Sequence, residues 1–141
     1  MKLENKLHGL KKSRDENSLI KDLINRIEEF KNLDSNWDTY NADKISPDSI
    51  TNARQIVKIF GTNNIIFDCA FPMRDGGVQL EINSKDFNIE IEVNPDTEIK
   101  LLVFNKVNNL ILEKDFKMLN LDNLIARVHE YFGEFHYSGK G

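Results

Sequence analysis

The chain has 141 residues, with 19 basic and 23 acidic side chains, and therefore a formal charge of −4 when histidine is neutral. This length suits a single domain, and an apolar content of 40% allows a packed core. The acidic balance argues against a nucleic-acid-binding protein, and the single cysteine excludes a disulfide framework or a cysteine-rich zinc site.

Basic residues are concentrated at the start of the chain. Residues 1–16 contain five lysine or arginine residues and three acidic ones, so the rest of the chain is more acidic than the whole. No apolar stretch approaches the ~20 residues that span a bilayer. We therefore predict a flexible basic leader over 1–16, one folded domain over 17–135 and a tail over 136–141, in a cytoplasmic protein without membrane contact.

Two helices are predicted before any strand. An apolar stripe at three- and four-residue spacing predicts the first over residues 18–33. Ser46 followed by Pro47 is typical of a helix start, because the N–H that proline lacks has no partner in the first turn. Gly61 is a suitable end for this second helix.

The middle of the chain predicts a meander of four antiparallel strands, with a fifth at 110–112. Asp75-Gly76 is a dipeptide preferred in a two-residue type I′ turn, in which both residues have positive φ. A turn at that point places three pairs opposite each other in the core: Met73 and Val78, Phe71 and Leu80, Cys69 and Ile82.

Two further loops set the predicted register of the later strands. The first is centred on Ser84-Lys85, and the second spans residues 94–98 with Pro95 inside it. The pairs expected from these loops are Leu80 with Ile89, Val78 with Ile91, Ile91 with Leu101, Ile89 with Val103, and Glu92 with Lys100.

A last helix is predicted over residues 121–132, where apolar residues again recur at helical spacing before Gly133. Strands flanked by helices are typical of an α+β domain. We therefore expect a four- to five-stranded antiparallel meander sheet, with two N-terminal helices and one C-terminal helix packed on one face.

The opposite face of the predicted sheet is rich in carboxylates. Glu81, Glu90 and Glu92 alternate with core residues, and a solvated polar face is the ordinary interpretation. Leu102 and Phe104 break the alternation and point to this same face. We expect these two apolar side chains to be covered by the N-terminal segment, by a partner or by another copy of the chain.

The loop between the two helices contains the single tryptophan of the chain. Trp37 and Tyr40 carry large rings with a polar end, suited to plugging a core or to anchoring a partner. Asp38 can hydrogen-bond the backbone of an irregular turn. We expect Trp37 to lock this loop onto the sheet.

The sequence has no motif typical of a metal site, a phosphate-binding loop or a nucleophilic active site. His129 and His136 lack metal-ligand spacing, and Cys69 alternates with phenylalanines as a core residue does. We predict no cofactor, no metal and no catalytic residue.

Two segments resemble a known group of proteins. One reads Asn-Trp-Asp-Thr-Tyr-Asn-Ala from Asn36 and is followed by Ile-Ser-Pro, and the other reads Asp-Gly-Gly-Val-Gln-Leu-Glu from Asp75. They resemble an uncharacterised family of small bacterial proteins with an Asn-Trp-Asp-Gly-Tyr-Gly-Ala loop and an Asp-Gly-Gly-x-x-Leu-Glu hairpin. Thr39 and Asn41 stand where that family has glycine. The resemblance implies a bacterial or phage origin and supplies no catalytic residues.

These observations favour a non-catalytic protein-binding module of the antitoxin, immunity or anti-defence type. Its predicted contact residues are Trp37, Asp38, Tyr40, Glu81, Glu90, Glu92, Leu102 and Phe104. One alternative is a small hydrolase-like enzyme that uses Asp38, Asp75, Glu81 or Glu90. Another is a nucleic-acid-binding regulator that acts through the basic segment from Lys2 to Arg14. We also expect that the chain can form a homo-oligomer.

Overall fold

The computed structural model of the chain describes the backbone of residues 2–140 and the side chains of residues 16–132. Helix α1 spans Lys2–Glu29 and continues as a short 3-10 turn at Phe30–Asn32, α2 spans Pro47–Thr62, and α3 spans Leu121–Lys140 after a second 3-10 turn at Met118–Asn120. Five strands lie between α2 and α3: β1 Cys69–Pro72, β2 Val78–Asn83, β3 Phe87–Val93, β4 Glu98–Asn105 and β5 Leu110–Lys117.

The five strands form one open antiparallel sheet in the order β1-β2-β3-β4-β5. Each strand therefore pairs with its neighbour in the chain, as expected for a meander. The predicted α+β class is confirmed, and β5 is longer than the segment predicted at 110–112.

The core lies between the helices and one face of the sheet. Alternate residues of β2, β3 and β4 are fully or almost fully buried, and so are the apolar stripes of the helices. The buried residues of these three strands are Val78, Leu80, Ile82, Ile89, Ile91, Val93, Ile99, Leu101 and Val103. Burying each of these side chains contributes about 1.5–3 kcal/mol, which fixes the face of the sheet that meets the helices.

The predicted register of the first hairpin is wrong by one residue. Met73 N–H donates to Gly77 O at 2.9 Å and Gly76 N–H to Met73 O at 3.0 Å, so the loop has three residues, 74–76, rather than two. In this loop only Gly76 has positive φ, at 94°, as in a type I turn closed by a glycine bulge. The additional loop residue reverses the faces of β1, because strand side chains alternate.

The later hairpins keep the predicted faces. In the β2–β3 pair Leu80 lies opposite Ile91 instead of Ile89, a shift of two residues that leaves the core side unchanged. The predicted β3–β4 register is confirmed, with Ile91 opposite Leu101 and Glu92 opposite Lys100.

The helix bounds differ from those predicted at both ends of the chain. Helix α1 begins at Lys2 rather than near Ser18, and α3 continues past Gly133. The predicted leader over 1–16, except Glu16, and the predicted tail over 136–141 lie outside the residues whose side chains are described. Among the described residues, no helix is long and apolar enough to cross a membrane.

Candidate functional site

The sheet face turned away from the helices brings three of the predicted carboxylates together, and we call it the acidic face. Glu81 lies directly opposite Glu90 on β3, and Glu92 lies two residues further along the same strand. All three are partly buried between neighbouring side chains. The meander register therefore concentrates like charges at the middle of the sheet.

Burial and neighbouring carboxylates raise the pKa values of two of these groups, Glu90 and Glu92. Burial, followed by the charges of Glu81 and Glu92, raises the pKa of Glu90 above its ordinary value. Burial also raises the pKa of Glu92, assisted by Asp75 and Glu113 and opposed by Lys100. The acidic face thus holds charges that would be more stable with a cation nearby.

Lys100 is a cation on this face, but its ion pair is with a carboxylate of β5 rather than with Glu92. Lys100 lies opposite Glu92, as predicted, but its Nζ lies 3.3 Å from Oε2 of Glu113 on the next strand. The hydrogen bond and charge of Glu113 raise the pKa of Lys100 and keep it protonated. Glu81 receives a hydrogen bond of 2.7 Å from Gln79 Nε2, which satisfies its oxygen without adding positive charge.

Cys69 belongs to the acidic face and not to the core, which corrects the sequence prediction. The one-residue change of register places it opposite Glu81, with Sγ donating to Oε1 at 3.8 Å. Burial, together with the carboxylates of Glu81 and Asp68, raises the pKa of the Cys69 thiol. A protonated thiol beside carboxylates is a poor nucleophile.

An apolar corner borders the carboxylates where β4 meets β5, and it consists of Leu102, Phe104 and Leu110. Leu102 lies opposite Glu90, whereas Phe104 lies opposite Leu110 after a register irregularity between Val103 and Phe104. Leu102 and Phe104 are partly buried, and Leu110 is 46% exposed. The predicted placement of Leu102 and Phe104 beside the carboxylates is therefore seen in the structure.

The loop over residues 36–42, which we call the Trp37 loop, is held by its own polar groups. Asp38 Oδ1 accepts from Tyr40 N–H at 2.8 Å and Ala42 N–H at 3.1 Å, and Asn36 Oδ1 accepts from Asn41 N–H at 2.8 Å. Asn36, Thr39 and Asn41 have φ values of 65°, 66° and 64°. The short Asn and Asp side chains thus replace backbone partners in an irregular turn.

The Trp37 loop and the β1–β2 loop, which carry the two resembling motifs, are joined in space. Asp43 N–H donates to Arg74 O and Ser46 N–H donates to Gly76 O, each at 2.8 Å. Arg74 Nε lies 2.7 Å from Asp38 Oδ2, and the same guanidinium donates to Tyr40 O. A Cβ on Gly76 would lie 2.9 Å from Lys44 O, so this junction needs glycine there.

Some residues of the Trp37 loop hold its structure, whereas Tyr40 is exposed and could contact a partner. Trp37 packs against the core and its indole N–H donates to Asp43 O at 2.9 Å, so this ring locks the loop in place. Although burial opposes the effect, the two amides and Arg74 hold the pKa of Asp38 below its ordinary value. Tyr40 is 73% exposed and is therefore available for contact.

The predicted residues form two groups rather than one site. Glu81, Glu90, Glu92, Leu102 and Phe104 share the acidic face, whereas Trp37, Asp38 and Tyr40 lie in the loop docked on the β1–β2 turn. The carboxylates of the alternative enzyme are divided between these places. Three cavities of about 470, 350 and 200 Å³ among the described residues are lined by other side chains. No cluster of metal-ligating side chains occurs among the described residues.

Sequence reasoning missed Cys69 and Phe71 on the acidic face, because it assigned both residues to the core. Phe71 is 40% exposed and lies opposite Gln79. The alternative three-residue loop at Arg74-Asp75-Gly76 is the signal that would have identified these residues, because Asp-Gly also occurs where glycine closes a bulged turn.

Comparison of this chain with protein-family models, with curated proteins and with solved structures finds no match.

Proposed function

We propose that this protein is a non-catalytic binding module whose acidic face, with its apolar corner, docks a basic protein partner. A bacterial or phage protein of the antitoxin, immunity or anti-defence type is the class of protein we propose. The observation that carries this proposal is the direct opposition of Glu81 and Glu90 beside Leu102.

Like charges that lie directly opposite on neighbouring strands destabilise a sheet. The pKa of Glu90 is raised because its environment disfavours the charged form, so the isolated domain retains an unfavourable charge there. A lysine or arginine of a partner would replace this repulsion with attraction. Charge complementarity of this kind increases association rates and selects partners of the correct sign.

A protein interface also needs an apolar surface, and the apolar corner provides one. Leu102, Phe104 and Leu110 lie beside the carboxylates, so one partner segment could contact both groups. Interfaces commonly combine an apolar centre with a polar rim. We therefore expect the partner to present apolar side chains flanked by lysine or arginine.

The test is affinity capture from a lysate of the source organism, with bound proteins identified by mass spectrometry. The native chain should enrich a basic protein, and the double variant Glu81→Lys with Glu90→Lys should lose it. Added salt should also release the partner, because screening weakens exposed charge pairs.

The matched control is Glu29→Lys, which reverses an exposed carboxylate of α1 and should retain the partner. Circular dichroism of each variant verifies that the fold is preserved. Equal capture by the double variant, or loss of the partner with Glu29→Lys, would contradict the proposed docking face.

A further inference from the structure

The largest of the three cavities lies away from the acidic face, between the end of α1, the segment before α2 and the first turns of α2. Its volume is about 470 Å³, within the range of roughly 300–1,000 Å³ that small-molecule sites occupy. Its apolar part includes Ile45 and Ile50, which are 2% and 5% exposed and belong to the core. The cavity therefore has an apolar floor that is part of the core.

The charged groups around this floor are predominantly positive. Lys31, Lys44 and Arg54 line the cavity together with one carboxylate, that of Glu28, which leaves an excess of two positive charges. This excess contrasts with the formal charge of −4 on the chain. The cavity thus has the opposite sign to the protein that contains it.

The single carboxylate is already neutralised. Arg54 Nη1 lies 2.8 Å from Glu28 Oε2, and Lys31 Nζ lies 3.4 Å from Glu28 Oε1. Lys44 forms no ion pair with the side chains of residues 16–132. An anion that enters the cavity would therefore meet the ammonium group of Lys44 without displacing an existing partner.

We propose that this cavity binds a small amphipathic anion, with its apolar group on Ile45 and Ile50 and its carboxylate, sulfonate or phosphate near Lys44 and Lys31. The volume fits a molecule of one or two rings. The apolar floor favours such a ligand over a bare inorganic anion, since burial of the rings adds to charge attraction. This site is independent of the proposed docking face.

The first experiment uses two fluorescent probes that differ by one charge. Anilinonaphthalene sulfonate should bind the native chain with one-to-one stoichiometry, whereas uncharged phenylnaphthylamine should bind at least several-fold more weakly. Lys44→Gln should weaken binding of the sulfonate roughly three- to tenfold and leave the uncharged probe unaffected.

The matched control is Lys58→Gln, which removes an exposed ammonium group from α2 outside the cavity lining and should not change the affinity. Amide chemical-shift mapping should place the sulfonate at residues 44–54. Equal binding of the two probes, equal effects of the two lysine variants, or mapped shifts confined to the sheet would overturn the proposal.

Discussion

Three residues of the Trp37 loop adopt a backbone conformation that a Cβ disfavours. Asn36 and Asn41 tolerate positive φ better than most residues, but Thr39 is β-branched and has a φ of 66°. Thr39 and Asn41 are the positions at which the resembling family has glycine. The loop therefore keeps a backbone path suited to glycine while carrying larger side chains.

Thr39→Gly should stabilise the protein. A residue with a Cβ in the left-handed region costs the folded state about 1–2 kcal/mol. Glycine removes this cost, but about 0.5–1 kcal/mol of the gain is offset because glycine makes the unfolded chain more flexible. The hydrogen bond of 2.6 Å from Thr39 Oγ1 to Asp38 O is lost as well, so we expect a net gain of about 0.5 kcal/mol in the free energy of unfolding. Urea denaturation of the native chain and of the variant measures this difference in the free energy of unfolding.

Thr39→Ala is the control for this prediction, because it removes the hydroxyl and the branch but keeps the Cβ. Its free energy of unfolding should not rise above that of the native chain. A gain equal to that of Thr39→Gly would show that branching, and not positive φ, is the source of the strain.

At the scale of elements, the sequence predicts the core face of a strand wherever the hydrophobic pattern is regular, as on β2 and β3. The pairing depends on loop length as well, and the predicted β2–β3 pairing differs from the observed one by two residues. The loop over 94–98 gave the correct β3–β4 register because buried residues alternate with polar ones along β3 and at the start of β4. On β1 the pattern is ambiguous, since Cys69, Phe71 and Ala70 all suit a core. There the loop length decides the face, and Asp75-Gly76 is compatible with two loop lengths.

The candidate site could be predicted only in part for the same reason. Glu81, Glu90 and Glu92 follow from alternation, whereas Cys69 depends on the loop length of the first hairpin. The cavity near Lys44 could not be predicted, because it depends on how α1 and α2 pack rather than on the period of either helix.

Glu90→Gln should raise the melting temperature at neutral pH, because an amide reproduces the protonated carboxyl that the folded state favours. The pKa of Glu90 is higher in the folded state than in the unfolded chain, so its ionisation reduces stability as pH rises. The gain should disappear below about pH 4, where the carboxyl is protonated in both states.

Melting curves of Glu90→Gln and of Glu29→Gln over a pH series provide the measurement. Glu29 is exposed on α1, and its variant should show no comparable change with pH. A lower melting temperature for Glu90→Gln at neutral pH would indicate that the charged carboxylate stabilises the sheet.

At the scale of the whole molecule, the contact between Asp38 and Arg74 connects the helical N-terminal part of the chain to the sheet. The two residues are far apart in the sequence, yet their side chains meet at 2.7 Å beside backbone hydrogen bonds from Asp43 and Ser46. The Trp37 loop therefore positions the start of α2 relative to the first hairpin.

We expect Asp38→Asn to weaken this connection without unfolding the loop. An amide oxygen can still accept from the Tyr40 and Ala42 N–H groups, so the variant removes mainly the charge attraction to Arg74. A double-mutant cycle with Arg74→Gln, measured by urea denaturation at pH 7, should give a favourable coupling between the two residues.

The coupling should also depend on pH. Because the pKa of Asp38 is lower in the folded state than in the unfolded chain, its charge stabilises the fold above the unfolded pKa, and this contribution is lost as pH falls through the folded pKa. The coupling should accordingly shrink below about pH 4. A coupling of zero at pH 7 would assign the connection to the backbone hydrogen bonds alone, and a coupling that is constant with pH would contradict charge attraction as its source.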